Sequence, residues 1–195
     1  IETIHALQPD LIIANKEENV KEQIEELEKH FPVWISDVNK LTDAYEMIEQ
    51  IGIISNKESK AKMLISHIKE NFSQLQHSNS NPQTIYLIWQ KPYMTVGGDT
   101  FIHSMIEAAG FQNIYANSTR YPEVTIEELK AKNPDLIILS SEPFPFNQKH
   151  IDELQVHLPT TKIVLADGEM FSWYGSRLIK APAYFATVSE QIVRP

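Results

Sequence analysis

The chain has 195 residues, 42% hydrophobic and 22% charged, with a formal net charge of -9 and no cysteine. That composition suits a globular chain with one substantial core or two modest ones. The acidic balance, with no basic run, excludes a nucleic-acid partner, and the missing thiols exclude disulfides, thiolate metal sites and cysteine nucleophiles.

The chain begins with a stretch that it later repeats. Ile1 to Ile13 returns as Ile126 to Ile138, with eight of thirteen positions identical, among them the Pro-Asp pair and the Leu-Ile-Ile run. Each copy reads as a helix stopped at Pro-Asp, where proline has no N–H to donate and bars the preceding residue from helical geometry. The short isoleucine-rich run that follows fits a strand buried on both faces of a parallel sheet. Two copies therefore predict two α/β lobes. With neither an initiator Met nor a signal segment, and with its first residues already inside a helix, the chain reads as lacking the beginning of its first lobe.

After the first strand (11–14), the periodic apolar residues Val20, Ile24 and Leu27 predict a helix over 17–30, and 33–35 a second strand, completing a βαβ unit. Thr42 or Asp43 is an N-cap for a helix interrupted at Gly52. A longer helix runs from Ser55 or Asn56 to about Gln76 on the stripe Ala61, Leu64, Ile65, Ile68, Phe72 and Leu75. At about 1.5 Å per residue it is long enough to join two lobes. The polar stretch 77–83 is linker-like. The expected domains are thus 1–55, the remainder of an N-terminal lobe; 56–80, a connecting helix and linker; and 81–195, a C-terminal lobe.

The second lobe opens with a strand over 84–89. Tyr93 to Val96 and the Gly97-Gly98-Asp99 turn lead to a helix over 100–109 that stops at Gly110. A short strand (113–115), the repeat helix from Thr125 and a strand over 136–140 follow. A helix (148–156), a strand (163–166) and a C-terminal helix complete an alternating α/β pattern.

In open α/β sheets, ligands bind beyond the C-terminal ends of the strands. In the second lobe those positions are rich in aromatics: Trp89 and Tyr93, then Phe144 and Phe146, then Phe171, Trp173 and Tyr174. A group of this kind suits a large flat or partly apolar ligand, although any single member can equally be packing. Arg177 is placed either to meet a ligand carboxylate or phosphate or to clamp the structure. Gly97-Gly98-Asp99 reads as a turn rather than an anion loop. No GxGxxG, Walker A, GxSxG or HExxH is present, and the seven histidines form no i, i+4 pair, which disfavours a metal site. Asp167, Glu169 and Ser172 could be drawn as a catalytic trio, but their spacing is not diagnostic. Glu2 and Glu127 are equivalent acids at the starts of the repeated helices. They serve either the helix dipole, worth about 0.3–1 kcal/mol, or a partner with basic pockets.

Taken in order, these pieces resemble the substrate-binding proteins of ABC importers for cobalamin, iron-siderophores and haem, most of all the cobalamin-binding members. The resemblance rests on the first copy of the repeat, the long helix, GGDTFIxxMIEAAGFxNI over 97–114, YPEVTIEELxAxNPDLIIL over 121–139 and WYGSRL over 173–178. It implies two Rossmann-like lobes joined by one long helix, the first of them N-terminally truncated here, and a ligand held in the cleft between them. The ligand would be an organic metal complex and the protein would have no resident cofactor or metal. Tyr93, Tyr121, Trp173, Tyr174, Arg177, Trp89 and Phe146 would face it. Glu2 and Glu127 would dock on the two subunits of a permease. The protein would be a monomer in the periplasm or anchored outside the inner membrane. Asn15 departs from the cobalamin-binding members, which carry an aromatic there. The alternative is an enzyme on a similar scaffold, handling a metallocofactor or nucleotide-sugar; an interaction module using the acidic helices is a third reading.

Overall fold

The computed structural model describes residues 1–76 and 81–193. Part of the expected linker, residues 77–80, lies outside the described residues. The chain divides into two compact units, 1–38 and 39–195.

The first unit contains α1 (Glu2–Leu7), β1 (Ile12–Asn15), α2 (Lys21–Glu28) and β2 (Val33–Ser36). β1 and β2 are parallel, with Ile12 opposite Val33 and Asn15 opposite Ser36, so the βαβ unit is as expected. α1 ends in a left-handed cap at Gln8 (φ 47°), which turns the chain into Pro9-Asp10. α2 starts later than its apolar pattern predicts because Asn15 organises a turn first. Its Oδ1 accepts from the Glu18 N–H (2.9 Å), and its own N–H donates to Asn19 Oδ1 (2.8 Å). Such side-chain bonds compete with helix formation.

The second unit opens with α3 (Leu41–Ile54) and α4 (Glu58–Ser73). Neither Thr42 nor Asp43 is the N-cap of α3. Lys40 holds that position, and Asp43 Oδ2 reaches back to accept from the N–H groups of Asn39 (3.0 Å) and Lys40 (3.1 Å). Gly52 does not interrupt the helix. It lies inside α3, where a Cβ would come within 2.5 Å of Ala61 Cβ on α4, so the glycine exists for close helix packing. α4 has 16 residues, with Lys57 at its N-cap and Gln74 at its C-cap. Asn71 Nδ2 donates to Ile179 O (2.8 Å), and Phe72 meets Phe185 edge-on. These contacts join α4 to the 3-10 turn and the C-terminal helix of the second unit; the compact units divide after Val38, whereas the expected first segment ran to 55.

That sheet is parallel, in the order β5-β3-β7-β8, formed by β3 (Gln83–Leu87), β5 (Gln112–Asn113), β7 (Leu136–Ser140) and β8 (Lys162–Ala166). β7 is central and buried at every residue, which explains its unbroken apolar run. Ile85, Leu87, Ile137 and Leu139 pack with Leu129, Leu154 and Ile163 in one core. Beyond β3, β4 (Tyr93–Met94) pairs antiparallel with β6 (Glu123–Val124).

The helices of this unit are α5 (Phe101–Ala108), α6 (Ile126–Lys132), α7 (Gln148–His157), α8 (Glu169–Ser172) and α9 (Ala181–Val193), with a 3-10 turn at Ser176–Ile179. Gly110 follows α5 at φ 83°, in the left-handed position expected of it. α6 is the second copy of the repeat. Thr125 and Glu128 cap its start reciprocally, and Asn133 (φ 44°) ends it as Gln8 ends α1.

Candidate functional site

Three neighbouring strands, β3, β7 and β8, run in parallel, so the loops that leave their C-terminal ends emerge side by side. The loop after β7 links two groups of side chains. It is fastened to β3 through the Phe144 N–H, which donates to Ile88 O (3.3 Å), and to β8 through the Ser141 N–H, which donates to Ala166 O (2.9 Å). Beneath it, the fully buried Tyr86 phenol donates to Ser140 Oγ (3.1 Å), which donates to Glu142 O (2.5 Å). Burial pushes the Tyr86 phenol well above its usual range, so it stays a neutral donor. Pro143 follows in cis, with Glu142 on one side and Phe144 on the other.

On the Phe144 side lies an aromatic cluster. Trp89, 40% exposed, meets Phe144 edge-on at 5.7 Å, and Phe144 in turn meets Phe146 (4.7 Å) and His150 (5.3 Å). Phe146 is only 6% exposed and belongs to the core, so it supports this surface from beneath and is not offered to a ligand. Tyr93 packs on the same core, and its Oη accepts from Gln90 Nε2 (3.1 Å).

On the Glu142 side the acid holds an indole. Glu142 Oε1 accepts from Trp173 Nε1 (3.0 Å) and from Ser172 Oγ (2.6 Å), leaving the Trp173 ring 50% exposed. The Arg177 guanidinium lies 5.4 Å from the centre of that ring and pairs with Glu169 Oε2. Its charge is thus matched by an acid of its own chain, as a clamp's would be, while the side chain also lines the cavity beside Trp173. Gly168 permits the close approach of the two loops, since a Cβ there would come within 2.5 Å of Glu142 Cγ. Trp173, Gly175, Ser176, Arg177 and Lys180 line a cavity of about 290 Å³.

The remaining candidates make other contacts. Tyr174 meets Phe101 edge-on at 5.3 Å, and Tyr121, half-buried, is stacked near the Arg120 guanidinium at 5.3 Å. Glu2 and Glu127 are both exposed in the first turns of α1 and α6. Gly97 and Gly98 form a turn, and their N–H groups donate to Arg120 O (2.7 Å) and Ser118 O (2.9 Å), so neither is left for an anion. The trio of Asp167, Glu169 and Ser172 does not assemble as a catalytic unit. Asp167 accepts from the Glu169 N–H, Glu169 pairs with Arg177, and the Ser172 hydroxyl faces Glu142. Glu142 and Lys180 escaped the sequence reading. An acid between a buried strand and a proline was the available sign for Glu142; for Lys180 there was none.

Comparison with known proteins gives one family and a consistent fold. The family described as "Periplasmic binding protein" matches residues 1–162. A vitamin B12-binding protein of Vibrio parahaemolyticus is 29% identical over 145 residues, which is 72% of this chain and 53% of that protein. The chain thus spans about half the length of this curated relative. Among solved structures, a possible iron-binding periplasmic solute-binding protein of Staphylococcus epidermidis superposes with a TM-score of 0.76 at 20% identity, covering 99% of this chain and 80% of the other. A periplasmic heme-binding protein of Roseiflexus sp. does so with a TM-score of 0.79 at 16% identity, covering 99% and 80%. With the family matched over most of its length and the same α/β fold found in these structures, the chain belongs to the periplasmic binding protein family.

Proposed function

We propose that this protein is the substrate-binding component of an ABC importer and that it carries an organic metal complex of the cobalamin, haem or ferric-siderophore type. The observation that carries this reading is the paired arrangement at the sheet's C-terminal edge: two exposed indoles, Trp89 and Trp173, one backed by Phe144 and the other held by Glu142. Flat aromatic area at low conformational cost is what a macrocyclic or chelate ligand needs, with a few polar groups to orient it. The names of the relatives point the same way. Binding is followed by release to a permease outside the inner membrane, without turnover. The enzyme alternative finds no support in Ser172, whose hydroxyl is committed to the Glu142 carboxylate and to Gly168 O.

Titration of the protein with cyanocobalamin, haemin and a ferric hydroxamate, followed by ligand absorption and tryptophan emission, tests this. At least one should bind saturably with nanomolar to micromolar affinity, and Trp173→Ala should weaken it about ten-fold. Silence from all three would overturn the reading.

A further inference from the structure

The cavity beside Trp173 differs in charge from the rest of the molecule. The protein carries a net charge of -9, yet the described residues lining this cavity include two cations, Arg177 and Lys180, and no carboxylate. Arg177 is matched by Glu169. Lys180 is exposed and makes no ion pair with any described residue. The larger depression between α3 and α4, about 510 Å³, shows the contrast, since Glu46 and Glu49 there balance Lys62 and Lys69.

The remaining lining suits a ligand edge. Trp173 presents a half-exposed indole, Ser176 a hydroxyl, and Gly175 an open wall where an added Cβ would meet nothing within 4 Å. The Glu142 bond to Trp173 Nε1 fixes the indole, and the Arg177 guanidinium, paired with Glu169, lies 5.4 Å from the centre of that ring. Lys180 lines the same cavity, its backbone N–H bonded to Arg177 O (2.9 Å). The backbone of Lys180 is fixed there, and its exposed ammonium is a donor lining the same cavity as the half-exposed indole.

We infer that this cavity is an anion subsite in which Lys180 and Ser176 receive a peripheral carboxylate or phosphodiester of a ligand whose flat body lies against Trp173. The inference rests on the carrier reading and narrows it to ligands with an anionic side group. An ammonium selects such a group by charge-assisted hydrogen bonding, and neutral analogues leave it unmatched.

The test compares matched ligands on the wild type, Lys180→Ala and Lys180→Arg. Haemin is set against its dimethyl ester, which distinguishes a carboxylate, and cyanocobalamin against cobinamide, which lacks the phosphodiester. In the pair that binds, the anionic member should bind the wild type about ten-fold more tightly than its counterpart. Lys180→Ala should erase that difference and Lys180→Arg should restore most of it. Equal affinity within each pair, or an equal loss for both members in Lys180→Ala, would overturn the inference while leaving the carrier reading intact. Inorganic pyrophosphate, titrated alone against tryptophan emission, separates the two claims in the other direction. Quenching in the wild type but not in Lys180→Ala, with all four organic ligands and the ferric hydroxamate silent, supports an anion site at Lys180 and overturns the carrier reading. Silence from pyrophosphate and from every ligand overturns both.

Discussion

Glu142 shows how much one residue at a strand end can organise. A single carboxylate oxygen receives both the Ser172 hydroxyl and the Trp173 indole N–H, so the exposed ring is held from one side. Replacing the acid by alanine leaves two donors without their acceptor, and we expect Glu142→Ala to cost about 1 kcal/mol of stability. Glu142→Gln keeps an acceptor oxygen and should recover most of that. Urea denaturation reads the stability, and acrylamide quenching of the Trp173 emission, isolated by subtracting a Trp173→Phe variant, should report a looser ring in the alanine variant. Unchanged quenching would show that the indole is held by packing alone. At the same scale, Phe144 and Phe146 demonstrate why aromatic residues in one loop need not share a role. They stand two positions apart and touch, yet Phe146 turns inward to the core while Phe144 meets the exposed Trp89.

Secondary-structure elements pack here through glycines that make room, and the absence of a side chain matters differently at each. A Cβ on Gly98 would come within 2.0 Å of Ala116 O, a backbone atom that cannot swing aside. At Gly175 the added carbon would meet open space. Gly98→Ala should therefore lower stability by about 1–3 kcal/mol, the usual range for overpacking, whereas Gly175→Ala should leave the urea midpoint nearly unchanged. Similar midpoints for the two variants would refute this steric account. The repeat is the element-scale feature most legible in the sequence. Both copies are a short helix, a left-handed cap at Gln8 or Asn133, Pro-Asp and a parallel strand, but only the second strand is buried throughout, as expected; in β1 Ala14 alone is buried and Ile13 is 54% exposed. The information is local, since proline and the apolar run act within a few residues. Element ends were less legible. The turn held by Asn15 shortens α2, and Gly52 stays helical because α4 fills the space beside it.

At the scale of the molecule, the two repeated acids give the carrier reading its second test. Glu2 and Glu127 each lie exposed in the first turn of a short helix, one in each compact unit. As permease-docking residues, they would meet basic groups on a partner, and charge reversal would repel it. The double variant Glu2→Lys/Glu127→Lys should abolish uptake in a reconstituted transporter while shifting ligand affinity less than two-fold, within the roughly 0.5 kcal/mol usual for surface changes. A large loss of affinity would instead assign these acids to the ligand. Within the first unit, Ala14, Leu27 and Val38 are the only buried apolar residues, a small core for 38 residues. The second unit carries the other buried apolar side chains of the described residues, in its helices and loops as well as its sheet.

The α/β alternation, the central strand over 136–140, the cap at Gly110 and the concentration of aromatics at strand ends were all determined by the sequence alone. Each follows from hydrophobic period, turn chemistry or the position of a residue after a strand. Tertiary structure decided what those residues do. Arg177 is neutralised by Glu169, Phe146 is drawn into the core, α3 and α4 join the second unit, and Gly97 and Gly98 give their N–H groups to a loop some twenty residues away. In each case the deciding partner is distant in the chain or reached through folding, and side-chain chemistry specifies which bonds are possible but not which partner arrives first.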